Sequence, residues 1–578
     1  MKILVVHPED SALNARGVNT TWDFVLDLGL GSPLLYGEWS RKLNCPVSSL
    51  NAVRRDGDAL RLRSLMRFAS GRLIDGSGLD WWDLNFVFYY QQLEQTIVLS
   101  RLADEWARGS EITVSRPCFA AAVLQAMFGG SVKVIQPAFG GTATSKLRHY
   151  GRLLSSFSTA QLREILGDKY DPDYRVRRHF SPKLTCSNQA VVLLPSAYAN
   201  ASKMVAAYAR IVPDQQFLLV ATRRSATRFN APANVQTAAL ASYAPAAAPH
   251  EEITSLSAKW SALVSDMGAV PELDLFNRAG GLQNFARMLA TGMAIRDAWA
   301  RVLDAHEVSA VFSGDEGNPH VRMPTLLASQ RGIPTLSVHH GALDSRFRWN
   351  APAADVVLAK DKMEADYLIR TCRVPAEKVA IGGPAAESKS GTLRDRTPGR
   401  DIVFFSEPYE VYGGRAEAVY RDVLPRLCHL ADEHERKVIL KLHPFESARE
   451  RAGVVKKILS AEDWRVLEIM TAPLSASLLS RTWFGITVQS TVATECAASA
   501  VPCFLCGWLA ESSSGYAHQF AKFGAGYLLE SADEIGAILN LIASNRIPAA
   551  ESVSSPLTPD SLRRLLTRPE IQAAVATG

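Results

Sequence analysis

Residues 308–341, VSAVFSGDEGNPHVRMPTLLASQRGIPTLSVHHG, carry the pattern that decides the fold. Two short apolar runs, Ala310–Phe312 and Thr335–Val338, flank a longer segment, and a polar loop containing glycine follows each run. Short apolar runs of this kind are typical of strands buried on both faces of a parallel sheet. The stretch therefore predicts a strand–helix–strand unit whose loops lie at the carboxyl ends of the strands.

The same pattern recurs on both sides of this unit. Further apolar runs lie at Ile3–Val6, Ile112–Val114, Val132–Ile135, Val191–Leu194, Phe217–Val220, Val356–Leu358, Ile402–Phe405, Val438–Leu442 and Phe484–Val488. Apolar residues at helical spacing separate many of these runs, for example between Phe285 and Leu303 and between Val419 and Leu430. This alternation predicts the α/β class, with Rossmann-like parallel sheets covered by helices on both faces.

The length of 578 residues indicates more than one domain, at roughly 100–200 residues per domain. Residues 383–400 are polar and contain glycine and proline, as linkers do. We expect an amino-terminal domain over 1–385, a linker over 386–400 and a carboxyl-terminal domain over 401–578. The stretch 223–260 is rich in Ala, Pro, Ser and Arg without a clear period, which predicts an insertion or a long loop.

Composition excludes several classes of protein. A net charge of +5 over this length is too small to indicate a nucleic-acid partner. The 8 cysteines are too sparse for a disulfide framework, and we interpret Cys503 and Cys506 as structural thiols of a buried strand. No apolar run approaches the roughly 18–20 residues of a membrane span. We expect a cytoplasmic protein, and a peripheral contact with the inner membrane stays open.

Two loops of the first predicted domain carry candidate chemistry. Asp315 and Glu316 are adjacent carboxylates between glycines at a strand end, where one can accept a proton from a substrate hydroxyl. His339, His340 and Gly341 follow the next run, and they could hold a phosphate, act as acid or base, or ligate a metal. Because neighbouring side chains of an extended segment point in opposite directions, we do not expect both histidines on one metal.

Two further loops lie in the second predicted domain. Lys441 and His443 end a strand, and Pro444 stiffens the turn that follows. His443 can donate a hydrogen bond to a phosphate oxygen or protonate it. After the run Phe484–Val488, the segment from Ser490 and Thr491 to Glu495 opens a predicted helix, and free N–H groups at a helix start favour an anion.

Other signatures are missing from the sequence. The glycine-rich turn at 139–145 lacks the lysine of a P-loop and the spacing of G-x-G-x-x-G, so ATP and NAD signatures are absent. No H-E-x-x-H occurs, and no D-x-D motif follows a predicted strand. The sequence therefore predicts neither a cofactor nor a metal.

The order D-E-G at 315–317, H-P at 443–444 and Ser490-Thr491 resembles the motifs of bacterial sialyltransferases, polysialyltransferases and capsule Kdo transferases. The resemblance implies the GT-B fold, with two Rossmann-like domains facing across a cleft. It also implies that Asp315 is the catalytic base with Glu316 beside it, that His443 and Pro444 contact a CMP-sugar, and that Ser490 and Thr491 bind its phosphate.

Two stretches refine this resemblance. Ser406, Glu407 and Pro408 resemble the donor-domain loop of those enzymes, although Glu407 stands where glutamine is expected. Residues 331–341 and 381–384 also resemble teichoic-acid glycerophosphotransferases and non-hydrolysing UDP-GlcNAc 2-epimerases. The H-H-G at 339–341 is a departure that keeps other donors open.

We therefore expect a glycosyltransferase of bacterial surface polysaccharide synthesis. The expected partners are a nucleotide-sugar donor, with a CMP-activated acidic sugar of the Kdo or sialic acid type favoured, and a glycan or lipid-linked glycan acceptor. The alternatives are a UDP-sugar glycosyltransferase, a 2-epimerase-like enzyme or a glycerophosphotransferase of the same fold. A non-catalytic carbohydrate-binding scaffold is a further alternative, but it would need no base.

Overall fold

The computed structural model describes residues 1–7, 21–29, 40, 43–50, 52–106, 109–135, 189–243, 250–341, 343, 346–349, 352–384, 399–409, 416–510, 516–544 and 556–567. These residues form three parallel β-sheets with helices between the strands. The predicted α/β class is confirmed, and every apolar run named above forms a strand. The chain carries one parallel sheet more than the two that we expected.

The first sheet has five strands in the order β3-β2-β1-β4-β5. They are β1 (Lys2–Val6), β2 (Phe24–Asp27), β3 (Val47–Ser49), β4 (Glu111–Val114) and β5 (Val132–Val134). All of their pairings are parallel. The helices of this region are α1 (Asp56–Ala69), α2 (Trp81–Leu84), α3 (Tyr90–Glu105) and α4 (Phe119–Phe128).

The second sheet has seven parallel strands in the order β12-β11-β10-β9-β6-β7-β8. They are β6 (Val191–Ser196), β7 (Phe217–Ala221), β8 (Val235–Ala239), β9 (Val308–Ser313), β10 (Thr335–Val338), β11 (Val356–Ala359) and β12 (Val379–Ile381). The helices are α5 (Ala199–Ala209), α6 (His250–Met267), α7 (Pro271–Arg278), α8 (Phe285–Ala305), α9 (Pro319–Gln330), α10 (Arg346–Trp349) and α11 (Lys362–Asp366).

The third sheet has six parallel strands in the order β15-β14-β13-β16-β17-β18. They are β13 (Asp401–Phe405), β14 (Lys437–Lys441), β15 (Leu467–Met470), β16 (Thr482–Thr487), β17 (Cys503–Cys506) and β18 (Tyr527–Leu529). The helices are α12 (Ala416–Glu433), α13 (Ala448–Ile458), α14 (Asp463–Val466), α15 (Ala476–Arg481), α16 (Val492–Ala498), α17 (Tyr516–Lys522) and α18 (Ile538–Ala543), and α19 (Pro559–Thr567) follows them in the chain. As the sequence predicts, Cys503 and Cys506 lie buried in a strand.

When the strands of each sheet are numbered along the chain, the third sheet follows the order 3-2-1-4-5-6 of the Rossmann fold. The first sheet follows the same order with one strand fewer, and the second follows it with one strand more. The central strands are apolar on both faces because helices cover both; Val192, Leu193 and Leu194 of β6 are fully buried. From the first strand of each sheet the chain adds strands in one direction, and from the fourth strand it adds them in the opposite direction. A crevice therefore lies at the carboxyl ends of the first and fourth strands, which are neighbours in the sheet.

The chain divides into two compact units. One comprises residues 1–58, 95–156 and 387–553, and the other comprises 59–94, 157–386 and 554–578. This division differs from the predicted one, because the first sheet groups with the third rather than with the second. An apolar run predicts a strand from its own composition, but nothing within it tells which sheet it joins.

Three details near the predicted boundaries also differ from expectation. The stretch 223–260 is not a long loop, since it contains β8 and the beginning of α6. Helix α19 packs its Leu562 and Leu566 against the core of the second sheet, so the carboxyl-terminal segment does not belong with the third. Most of the predicted linker, residues 386–398, lies outside the described residues. Within the described part of the chain, no helix is long and apolar enough to cross a membrane.

Candidate functional site

The candidate residues gather at the reversal points of two sheets. In the second sheet this point lies between β6 and β9, and Tyr198 and Asp315 follow these two strands. In the third sheet it lies between β13 and β16, and Glu407 and Gln489 follow those strands. Ligands of open α/β sheets bind at such points, so the second and the third sheet each carry a candidate site.

Asp315 is the centre of the site on the second sheet. Its side chain is only 2% exposed, and its Oδ1 accepts a hydrogen bond of 2.7 Å from the N–H of Gly317. The hydroxyl of Tyr198 donates to its Oδ2. The Nδ1 of His340 lies 3.3 Å from the same hydroxyl. The hydroxyl of Tyr198 has a single hydrogen, and it donates this hydrogen to Asp315. If Nδ1 of His340 is protonated, it can therefore donate to the oxygen of Tyr198. The two hydrogen bonds link three ionisable groups in a chain.

Gly314 explains why this loop approaches helix α5 so closely. A Cβ atom at this position would lie 2.5 Å from the carbonyl oxygen of Ala201, well inside van der Waals contact. Only glycine permits the approach that brings Asp315 beside Tyr198, the residue that precedes α5. The glycine before the carboxylates therefore has a packing role that the sequence pattern alone does not reveal.

His339 and His340 converge on the same carboxylate. Their ring centroids are 4.7 Å apart, and the Nδ1 of His339 lies 3.8 Å from the Oδ1 of Asp315. The expectation that the two rings point in opposite directions is wrong. Strand β10 ends at Val338, so the two-residue alternation of a strand no longer applies.

Lys360 holds this turn in place. Its ammonium group donates to the carbonyl oxygens of His339 and Gly341, both at 2.9 Å, and pairs with the buried carboxylate of Glu364 at 2.7 Å. Around Gly341 a Cβ atom would meet nothing nearer than the Nε2 of His339 at 4.0 Å. Crowding therefore does not require glycine at this position.

Glu316 has a different environment from its neighbour. It is 3% exposed, and it accepts hydrogen bonds from the backbone N–H groups of Ala353 and Ala354. Burial raises the pKa of this carboxyl, and the nearby charge of Arg322 partly opposes the effect. Its contacts fix the segment before β11, and the catalytic role of Glu316 stays a prediction.

The site on the third sheet is built around Glu446, a residue that the sequence analysis missed. Its side chain is fully buried, and its Oε1 accepts from the Oγ of Ser406 at 2.8 Å and from the Nε of Arg451 at 2.7 Å. Its Oε2 accepts from the N–H of His443 at 2.7 Å. Glu446 therefore ties the ends of β13 and β14 together and fixes the turn that contains the H-P motif.

This turn determines which nitrogen of His443 carries the proton. The N–H of Phe445 donates to its Nδ1 at 3.2 Å, so Nδ1 is the acceptor and the hydrogen of the neutral ring is on Nε2. Burial and the adjacent charge of Lys441 lower the pKa of His443. The ring therefore presents its Nε2–H as a hydrogen-bond donor.

Lys441 is less available than the sequence predicts. It is 7% exposed, and its Nζ donates to the carbonyl oxygen of Leu442 at 2.5 Å. Burial lowers the pKa of this amine. Its charge lies close to the turn, but its hydrogen bond stays within the turn.

Glu407 is buried at the reversal point of the third sheet. Its Oε1 accepts from the Oγ1 of Thr487 at 3.1 Å and from the N–H of Gln489 at 2.8 Å. Burial, together with the charge of Glu446, raises its pKa to about 7. Glu407 thus joins the ends of β13 and β16, and the neighbouring Pro408 is buried as well.

The remaining predicted residues follow β16 and β14 directly. Ser490 and Thr491 are half-buried before α16, and Thr491 is its N-cap without a side-chain cap hydrogen bond. Helix α16 has only 7 residues, too few turns for a sizeable dipole. The helix dipole therefore does not support the anion site that we expect at its start. Glu495 and Pro444 are exposed.

Sequence reasoning missed three residues that organise these sites: Tyr198, Lys360 and Glu446. Their positions carried a usable signal. Tyr198 follows the apolar run of β6, at the same relative position as the other candidates, and Glu446 stands three residues after His443. Lys360 follows the apolar run of β11 in the same way, but its contacts with the carbonyl oxygens of His339 and Gly341 are not visible in the sequence.

No family model matches this chain, and no curated protein matches it. Among solved structures, it is similar to UDP-GlcNAc 2-epimerase from Methanocaldococcus jannaschii, with 12% identity over 65% of this chain and 99% of that one and a TM-score of 0.41. The S. aureus MnaA–UDP co-structure shows 15% identity over 65% and 95% of the two chains, with a TM-score of 0.38. The calicheamicin glycosyltransferase CalG4 shows 13% identity over 67% and 95%, with a TM-score of 0.38. Similarity this low supports no inference about function, and the architecture is inferred from the strand order.

Proposed function

We propose that this chain is a GT-B glycosyltransferase that moves a sugar from a nucleotide to an acceptor hydroxyl without a required metal. One observation carries the proposal: two parallel sheets each place a distinct polar cluster at their reversal point. The cluster of the second sheet contains a buried carboxylate bonded to ionisable side chains, as proton transfer requires. The cluster of the third sheet presents an imidazole N–H, which can donate a hydrogen bond to a phosphate oxygen.

In this proposal Asp315 is the base. As the acceptor oxygen attacks the anomeric carbon, its proton passes to Asp315, and the bond between the sugar and the phosphate oxygen breaks. The electron pair of that bond remains on the departing nucleotide. Tyr198 and His340 can redistribute the accepted proton, because they are linked to Asp315 by hydrogen bonds.

His443 stabilises the departing phosphate, whose negative charge grows in the transition state. Its Nε2–H is fixed by the hydrogen bond at Nδ1 and by the turn that Glu446 anchors. The hydroxyl groups of Ser490 and Thr491 supply further donors after β16. These donors can act without a metal ion, so we expect a chelator to leave activity largely intact.

The donor in this proposal is a CMP-activated acidic sugar. Such a donor carries one phosphate at the sugar, whereas a nucleoside diphosphate would usually need additional cations. Lys441 is the cation at the end of β14, and it is buried and engaged with Leu442. Arg415, another cation that could serve a diphosphate, lies outside the described residues.

A UDP-sugar enzyme, either a transferase or a 2-epimerase, is the second candidate. The H-H-G at 339–341 favours it, because this motif departs from the pattern of the CMP-sugar enzymes. The acceptor that we propose is a glycan or a lipid-linked glycan of a bacterial surface polysaccharide.

Titration of the full chain with CMP, UDP, CDP and GDP tests the donor. Tighter binding of CMP supports the CMP-sugar proposal. Preference for UDP, with CMP failing to bind at millimolar concentration, replaces it with the second candidate. If a UDP-sugar is then epimerised in the absence of any acceptor, the proposed transfer itself is wrong.

A further inference from the structure

Within the described residues, the side chains of Asp315, His339 and His340 form a group that could hold a metal ion. One ligand atom from each residue lies within 4.8 Å of the others. We infer that this group is a binding site for a divalent first-row transition cation such as Zn²⁺, and that the bound cation inhibits the enzyme.

The geometry needs only a small contraction to enclose an ion. Ligand atoms around Zn²⁺ lie about 2.0–2.2 Å from the metal, which places them roughly 3–3.5 Å from each other. Rotation of the two imidazole rings can supply most of this change. The hydroxyl of Tyr198 contacts both Asp315 and His340, so it offers a fourth ligand atom at the same place.

The groups that hold these side chains are already in place. Lys360 fixes the carbonyl oxygens on either side of His340, and the N–H of Gly317 holds one oxygen of Asp315. Metal sites depend on such supporting contacts, because they fix ligand orientation before the ion arrives. His339 is 6% exposed, whereas His340 is half-buried, which gives an ion access from one side.

The donor set selects the type of cation. Two imidazole nitrogens and one carboxylate oxygen suit zinc, cobalt and nickel, whereas magnesium and calcium prefer sites made of oxygen ligands. We therefore expect Zn²⁺ and Co²⁺ to bind and Mg²⁺ to fail.

Bound metal would occupy one oxygen of Asp315, and its positive charge would lower the affinity of the carboxylate for a proton. A carboxylate that binds the metal is therefore a weak base, and the metal-bound form is inactive. The inhibition rests on the proposed function, whereas the binding does not.

The test is a titration of the chelator-treated full chain with Zn²⁺ and with Mg²⁺, without nucleotide present. We expect one tight Zn²⁺ site per chain and no matching Mg²⁺ site. His339→Ala and His340→Ala should each weaken Zn²⁺ binding by at least about tenfold. His429→Ala is the matched control, since His429 is exposed on α12 and pairs with Glu433, and it should bind Zn²⁺ as the wild type does.

Co²⁺ spectra of the unaltered chain keep the test independent of variant folding. Bands from nitrogen and oxygen ligation support the site, whereas strong sulfur-to-cobalt bands would assign the ion to cysteines and overturn it. Equal Zn²⁺ affinity in the wild type and in both histidine variants would also overturn it. Zn²⁺ binding without any nucleotide binding would leave the metal site standing and reject the proposed function. Unchanged wild-type turnover with the site saturated would reject the inhibition.

Discussion

The second and third sheets share one strand order but use the same position differently. At the reversal point of the second sheet, Asp315 contacts ionisable side chains, Tyr198 by a hydrogen bond and His339 at 3.8 Å. In the polar cluster of the third sheet, Glu407 accepts a hydrogen bond from the backbone N–H of Gln489, and Glu446 accepts one from the backbone N–H of His443. The first carboxylate is placed for exchange of protons, whereas the other two are placed to hold loops.

This difference suggests a division of labour. A carboxylate surrounded by groups that can gain or lose a proton suits chemistry. Carboxylates that fix backbone turns suit recognition, because they present the remaining donors in a constant geometry.

The largest effect is expected from Asp315→Asn. Asparagine keeps the shape of the side chain but cannot accept the proton, so turnover should fall by about 10²-fold or more. Donor binding should remain close to that of the wild type, because His443 and its neighbours are unchanged. Turnover and nucleotide affinity are measured on the same preparation. Near-normal turnover would remove Asp315 from the base role and make His339 or His340 the next candidate.

Glu407→Gln should change how stability depends on pH. Burial raises the folded-state pKa of Glu407 to about 7 from its ordinary value of 4.5. Its contribution to stability is therefore fully present below pH 4.5 and is lost as the pH rises through 7. Glutamine cannot ionise, yet it retains an oxygen for Thr487 and Gln489. Above pH 7, the free energy of unfolding of the variant should exceed that of the wild type by up to about 3 kcal/mol.

Denaturant unfolding between pH 5 and 8, at intervals of about one unit, measures this gain. Glu468→Gln is the matched control, because Glu468 is exposed on β15 of the same sheet. A stability difference between Glu407→Gln and the wild type that stays constant over the whole pH range would contradict the prediction.

His443→Ala should weaken nucleotide binding by roughly 10- to 100-fold, the loss of about 1.5–3 kcal/mol expected for a hydrogen bond to a charged phosphate. His429→Ala, an exposed histidine on α12, should bind as the wild type does. Calorimetric titration with the preferred nucleotide compares the three proteins. Equal affinities would remove His443 from the nucleotide site and leave only its structural contacts with Phe445 and Glu446.

Ser490→Ala should have the smallest effect, a loss of about 1 kcal/mol in nucleotide binding for one hydrogen bond. The same titration measures it, and Ser480→Ala, an exposed hydroxyl on α15, serves as the control. A loss in both variants, or in neither, would show that the hydroxyl after β16 does not contact the nucleotide.

The sequence predicted the central strands well and the outer strands poorly. Runs such as Val191–Leu194 and Phe484–Val488 are buried on both faces, so their composition alone identifies them. The missed strands β3, β8, β12, β15 and β18 lie at sheet edges, where strands are short or contain polar residues such as Gln236 and Glu468. Strand β2 was missed as well, although it is buried beside β1.

The candidate site was predictable where it depended on a position after a strand, as for Asp315 and His443. It was not predictable where it depended on distant backbone contacts. The contacts of Glu316 and Lys360 are with N–H and carbonyl groups that only the folded chain brings near. The convergence of His339 and His340 depends on where β10 ends, which the sequence does not mark.

The most direct test of the central claim is nucleotide release from candidate nucleotide sugars, CMP-activated acidic sugars first, with and without a glycan acceptor. The account predicts that the full chain releases nucleotide in proportion to the sugar transferred, that release requires the acceptor, and that Asp315→Asn abolishes most of it. Turnover of a nucleotide sugar that proceeds equally without acceptor, or binding of no nucleotide at millimolar concentration, would contradict it.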